Sequence, residues 1–508
     1  MKLLNKITRN CALMLALTGG LAMSSCQKDF LDRQAQGSYD QNNYPYPGGS
    51  GPYDEFLNGA YASLRSYDVT VMPFVAAVSI RSDDADKGST PADGPDALQM
   101  DNLNVLPSNG MTNALWLGHF DLIGKANYVI DRIENDPNPL TPAPLKVEAE
   151  AQARFLRAYS YFMMVRLFGR VPLIDKITTG SASESNIPQS GPAQLYPFIE
   201  ADLQFAAANL PASYDAKFIG KITSGAANGL LTKVLLTQKK YAAAMSTASA
   251  VMSSGQYSLS VPYNTIFNEE GENSKESILE VQATADAANP TNNGSQHAQV
   301  QGVRGTGAWD LGWGFNVPST SLEAAYEPND PRKTRTILYS GGTTIFGEAV
   351  PAGLPNPRYN QKVYTNPVKR ASVGNRGGWW MNVRLLRYAD VVLMYAEAAT
   401  EVGGAANITS ALNALNTVRA RARGGNAAIL PNVVTADQET LRQAIRRERR
   451  VEMGMEYDRF FDLVRWGIAA QQLQAQGKNF VVGKHELLPI PQAQIDLSKG
   501  TLTQNPGY

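Results

Sequence analysis

The feature that most constrains the fold is a series of helix-spaced apolar segments, interrupted once by a long stretch that lacks such spacing. Apolar residues recur at three and four over residues 116–133, and again through EAEAQARFLRAYSYFMMVRLF at 148–168, which Gly169 and Pro172 stop. Residues 195–209 read as a further helix, and 223–237 and 241–253 as a helical pair joined by Gln238-Lys239-Lys240. A second pair runs over 386–402 and 408–423. Between the pairs, the 123 residues from 261 to 383 lose helical spacing apart from short pieces near Leu322, and Gly, Pro and Asn accumulate. The expected fold class is mostly α, a helical frame carrying a long irregular insert. An insert of that length is expected to be functional.

The N-terminus has the three parts of a secretion signal over residues 1–25. Lys2, Lys6 and Arg9 start it, an apolar stretch of 13 residues follows from Cys11 to Met23, and small residues precede Cys26. Thirteen residues fall short of the roughly 20 that a helix needs to cross a bilayer. No other stretch is apolar enough, so the mature body is expected to be soluble. Cys26 is the only cysteine after the leader, and an unpaired exposed thiol is a liability in an oxidising compartment. The tetrad Met23-Ser24-Ser25-Cys26 resembles the bacterial lipoprotein box, which makes Cys26 the expected lipidation site and the lipid a membrane tether. Residues 26–52 read as a flexible spacer. A single domain over 53–508 is expected to begin where Phe56, Leu57, Ala60, Tyr61 and Leu64 fall at helical spacing.

Charge excludes one class of partner. The chain carries 46 basic and 46 acidic residues, and loss of the leader cations leaves 43 against 46, a balance unsuited to nucleic acid. Only 18% of residues are charged, so neutral polar ligands such as sugars or peptides suit the surface. His119, His297 and His485 are far apart and have no metal or nucleophile spacing. No phosphate loop, nucleophile elbow or dinucleotide fingerprint occurs, so neither catalysis nor a cofactor is expected.

Several blocks resemble one family. EAEAQARFLRAYSYFMMVRLFGRVPLI at 148–174, LYPFIEADLQFAAANLP at 195–211, LRYADVVLMYAEAA at 386–399, IRRERRVEMGMEYDRFFDLVRWG at 445–467 and LLPIPQAQI at 487–495 are similar to the SusD/RagB family of surface nutrient-binding lipoproteins. The pair containing Ala226, Ala227, Ala244 and Ala248, with Tyr241 opening its second helix, resembles a tetratricopeptide unit. The resemblance implies a SusD-like fold with tetratricopeptide-like helix pairs, and a glycan or oligosaccharide ligand. It also implies an outer-membrane location facing outward, assisted by Gln27-Lys28-Asp29, and a lid-like partnership with a SusC-like TonB-dependent transporter. A peptide or other non-glycan nutrient receptor of the same lid type is the alternative.

Tryptophan outside a helical core is a candidate sugar platform, because an indole face buries the C–H face of a pyranose while nearby amides or carboxylates satisfy its hydroxyls. Trp309, Trp313, Trp379 and Trp380, four of the six tryptophans, lie in the insert among glycines expected to keep the rings accessible. Asn316 is counted with them. Arg81 and Asp83, in the acidic loop 81–88, are candidates for pairing with vicinal hydroxyls, and Asp84 and Asp86 are weak calcium candidates, since an EF-type loop needs further oxygens. Trp116 and Trp466 are expected in the core. The alternating charges from Arg446 to Arg450, with Glu452, Glu456 and Asp458, are expected to form an ion-pair network of structural rather than chemical purpose.

Overall fold

Helix α1 (Asp54–Leu64) follows a short turn at Gly51–Tyr53, and the Asp54 carboxylate accepts from the backbone N–H groups of Gly48 and Ser50 at 2.8 and 2.6 Å. Those residues were expected to end the flexible spacer; they are instead part of the fold, with Ser50 buried and Gly51 against Leu145. The computed structural model describes residues 46–136, 141–178 and 186–508. The leader, Cys26 and the first part of the spacer lie outside them. From Gly48 to Tyr508 the chain makes one compact unit.

Helices α2 (Gly110–Glu134), α3 (Ala143–Phe168), α4 (Pro192–Asn209), α5 (Ser224–Thr237) and α6 (Tyr241–Ser253) follow, and each packs on the next from α1 onward. Asn109 caps α2 by accepting from Thr112 N–H at 3.1 Å, and Thr223 caps α5 in the same way. α3 is buried nearly all round from Ala149 onward, which is why it lacks a single apolar face. Its Leu156, Phe162, Leu167 and Phe168 have no exposed area, and each contributes about 2 kcal/mol by burial. Arg157, which is buried, and Arg166, which is partly buried, are accommodated differently. Arg157 forks onto Asp202 of α4 at 2.8 and 2.9 Å, while the Arg166 guanidinium lies 3.8 and 3.9 Å from the ring centroids of Phe162 and Phe461. The expected α5–α6 hairpin is present, with Ala226, Ala227, Ala244 and Ala248 wholly buried and Lys239 turning the link at a φ of 59°.

The insert holds α7 (His297–Gln301), three other short helices and several short strands. Phe315–Pro318 pairs antiparallel with Ala85–Gly88, and Ile337–Tyr339 with Arg358–Asn360. Ser277–Val281 pairs with Val383–Arg387, closing the base of the insert. Helix α8 (Tyr388–Val402) therefore begins at Tyr388 rather than at the expected Leu386, which belongs to that strand. α8 packs on α6, on α9 (Ala405–Arg423) and on α10 (Gln438–Met453).

The alternating charges of α10 form a network that is buried rather than on a solvated face. Glu448 and Glu452 hold Arg332 of the insert at 2.5 and 3.2 Å, and Asp330 completes its shell at 2.8 Å. Glu452 also accepts from Arg421 at 2.5 Å and Arg387 at 3.2 Å, and Glu456 from Lys362 at 2.5 Å. Arg449 joins Asp390 of α8 to Asp462. Burial alone would raise the Glu452 carboxyl, but Arg421, Arg387, Arg332 and Lys362 hold it down at about 2. Asp390, beside Arg449 and Lys233, is likewise held low against burial, and so is Glu397 beside Arg465. Asp84 and Glu276 are raised by burial and act in the opposite sense. A carboxylate held low contributes stability that is complete above its unfolded value, near 4.3, and is lost as pH falls toward the folded value. Thermal melts should therefore show stability declining as pH is lowered from 5 to 3, by about 1.4 kcal/mol per pH unit for each uncompensated group. A flat profile over that window would contradict the assignment.

Candidate ligand-binding site

The six tryptophans divide by environment. Trp116 is core, its ring edge-on to Phe168 with centroids 5.2 Å apart. Trp466 is half-buried between the guanidinium groups of Arg446 and Arg465, and its Nε1–H donates to Glu397 at 2.8 Å. Trp380 is only 5% exposed, packs with Ala298, Val373 and Met381, and donates to Glu269 at 3.0 Å. That corrects its expected place on the ligand platform. Two residues before it, Gly378 has a φ of 70°, and an added Cβ there would lie 2.5 Å from Thr365 Cγ2, so the glycine marks a turn and close packing instead of an open ring.

Trp309, Trp313 and Trp379 are half-buried, and the last two bond to Gln299 of α7. Trp379 donates its indole N–H to Gln299 Oε1 at 2.9 Å, and its carbonyl accepts from Ser295 N–H at 2.8 Å. Trp313 N–H donates to the Gln299 carbonyl at 2.8 Å. Trp309 ends the turn Gly307–Trp309 and stacks on Tyr364, with centroids 6.3 Å apart and planes 27° from parallel. Arg376 Nη1 donates to the Gly307 carbonyl at 2.6 Å, joining the turn of Trp309 to the segment of Trp379.

Helix α7 is a single turn and would be unstable alone. A buried polar network fixes it. His297 Nδ1 donates to the Thr70 carbonyl at 2.7 Å, which leaves Nε2 to accept from Tyr457 OH at 2.5 Å. Burial lowers the His297 imidazole to about 4, so it stays neutral in this arrangement. Gln301 donates to Tyr457 OH at 3.0 Å and accepts from Asn316 at 2.7 Å and Asn360 at 2.9 Å. Asn316 is thus fully buried at a φ of 55°, and its expected contact with ligand is corrected to a supporting place behind α7.

Arg81 and Asp83 are corrected as well. Each is 1% exposed. Arg81 donates to the His485 carbonyl at 2.8 Å with its guanidinium 4.0 Å from the Phe460 ring centroid, and Asp83 is gripped by Arg459 at 2.7 Å and Arg450 at 3.0 Å. Asp84 pairs with Arg450 at 2.7 Å, which removes it as a calcium ligand, and Asp86 stands exposed on the strand Ala85–Gly88. Among the described residues no group of three or more His, Cys, Asp or Glu side chains is placed to hold a metal ion.

Sequence reasoning missed several polar groups on the segments near these indoles. Arg304 Nη1 pairs with Asp93 at 2.7 Å and donates to Ser89 Oγ at 3.0 Å. The Thr90 and Ser89 hydroxyls, with Arg304, hold Asp93 below the usual carboxylate range. Gln299 and Arg376 complete the set. Nothing in their spacing flags them, because the strand pairing of 85–88 with 315–318 is what brings the loop at 89–93 to the insert.

A helical frame that holds a half-buried aromatic cluster on an irregular, strand-clamped insert is the class this geometry defines. The chain belongs to the SusD family. Residues 263–508 match that family, and residues 55–236 match a family described as starch-binding and associating with the outer membrane. SusD-like protein P2 of Formosa agariphila is 28% identical over 476 residues, covering 89% of this chain and 91% of its own. Among solved structures, a laminarin-binding SusD-like protein matches with a TM-score of 0.75 at 28% identity, over 89% of this chain and 98% of its own. Surface glycan-binding protein A from Bacteroides thetaiotaomicron, in complex with laminarihexaose, matches with a TM-score of 0.74 at 26% identity over the same shares. Among the described residues no helix is long and apolar enough to cross a membrane.

Proposed function

We propose that this chain is a non-catalytic surface receptor for neutral glycans, tethered to the outer membrane through lipid on Cys26, which passes its ligand to a SusC-like TonB-dependent transporter. The observation that carries the reading is that Trp313 and Trp379 bond to Gln299 of one short helix, while Arg376 ties the turn of Trp309 to the segment of Trp379. Indole faces suit the apolar faces of sugar rings, and the amide and guanidinium groups suit their hydroxyls. Likeness to a laminarin-binding protein and to a laminarihexaose complex supports a β-glucan as the first probe, and the description of the N-terminal match supports starch as the second.

A ligand that binds only the folded state raises the melting temperature. The mature protein should therefore be melted against laminarin, starch, other neutral polysaccharides and a peptide mixture. A rise with at least one neutral glycan and none with peptides is expected. A rise with peptides alone would replace the glycan reading by that of a peptide receptor.

A further inference from the structure

Trp379 and Trp313 both bond to Gln299, the first through its indole and the second through its backbone, and the Gln299 side chain is placed both to hold the Trp379 ring and to meet what lies on it. We infer that Gln299 is the residue that positions the Trp379 indole and the segment of Trp313 and presents hydrogen-bond donors to the hydroxyls of a bound sugar; this rests on the glycan reading above.

Its carboxamide oxygen accepts twice, from Trp379 Nε1 at 2.9 Å and from Gln296 Nε2 at 3.1 Å. That assigns the oxygen to the protein and leaves the carboxamide nitrogen, which donates to no group among the described residues. Gln299 is partly exposed, so its two N–H donors are available to solvent or ligand beside the Trp379 ring. Its backbone carbonyl accepts from the Trp313 backbone N–H at 2.8 Å, so the same residue also fixes the main chain that carries Trp313.

The surrounding glycines fit this arrangement. A Cβ on Gly377 would lie 3.0 Å from Cβ, Cγ and Cδ of Gln299, and one on Gly312 only 2.2 Å from its carbonyl oxygen. Neither glycine has a positive φ. Space, and not backbone conformation, favours glycine at both positions, against the Gln299 side chain at Gly377 and against the Gln299 carbonyl and Gly302 at Gly312. The segment before Trp379 and the segment before Trp313 therefore both close on this one side chain and its peptide group.

Two variants separate the two duties. Gln299→Leu removes acceptor and donors, whereas Gln299→Glu keeps an acceptor for the Trp379 indole and removes the donors. Tryptophan-selective 15N labelling gives the indole N–H resonances, with Trp379→Phe assigning that of Trp379. In Gln299→Leu the Trp379 resonance should move upfield, and glycan affinity should fall about tenfold or more, since one lost ligand bond and a freed ring together exceed about 1.4 kcal/mol. In Gln299→Glu the resonance should stay near its hydrogen-bonded position while affinity still falls. An unmoved Trp379 resonance in Gln299→Leu would overturn the positioning claim, and wild-type affinity in Gln299→Glu would overturn the donor claim. If the unaltered protein binds no glycan, the glycan reading fails while the resonance shift still reports whether Gln299 holds Trp379.

Discussion

Glu452→Ala is expected to lower stability by about 3–5 kcal/mol, the loss seen when one partner of a buried ion pair is removed. Glu452 has no exposed area and serves three guanidinium groups, those of Arg332, Arg387 and Arg421. Arg332 keeps Asp330 and Glu448, and Arg387 keeps Glu276 and Glu456. Arg421 fares worst, because its remaining carboxylate is Glu276 at 3.2 Å and its hydrogen bond was to Glu452. Replacing Glu452 and Arg421 together by methionine should recover part of the loss, since no unpaired charge then remains at that point. Chemical denaturation measures both, and a change below about 1 kcal/mol for Glu452→Ala would show that the network is not the tie between insert and frame. Arg332 and Lys362 are insert residues whereas Glu452 and Glu456 lie on or just after α10, so amide exchange in the insert should rise in the single variant.

Trp379→Ala is expected to weaken glycan binding about 10- to 100-fold with little change in melting temperature, and Trp309→Ala to do the same. Truncating an aromatic platform removes its buried area and its stacking preference from the complex, and tenfold corresponds to about 1.4 kcal/mol. Both rings are half-buried at the edge of the insert, so the folded state loses less than the complex. Trp380→Ala is the contrast. Its ring is core, so it should cost about 3–5 kcal/mol of stability as other buried aromatic truncations do. Titration calorimetry paired with melting curves separates the outcomes. Equal affinity in Trp309→Ala and Trp379→Ala would move the site elsewhere.

The frame was legible because long helices leave repeated spacing. The segments containing Phe155 and Phe162, or Ala226 and Ala244, carry enough turns to be read from one sequence. The insert was legible only as an absence of such spacing. Its strands span three to five residues and its helices five to seven, too short to display a period, and their partners are distant, as with Ala85 opposite Pro318. Trp380 and Trp379 are neighbours in sequence, yet one is buried and the other half-open, a distinction set by Ala298, Val373 and Glu269 arriving from elsewhere. Arg81 and Asp83 misled for a related reason. A short acidic loop reads as solvated until Arg450 and Arg459, more than 360 residues later, are seen to cover it.

The most direct test of the account is a crystal structure of the mature protein with a laminarin- or starch-derived oligosaccharide, whichever binds. Sugar rings lying on Trp309 or Trp379, with a hydroxyl within hydrogen-bond reach of the Gln299 carboxamide nitrogen, is the predicted result. An oligosaccharide bound elsewhere on the protein, with Trp309, Trp313 and Trp379 untouched, would contradict it.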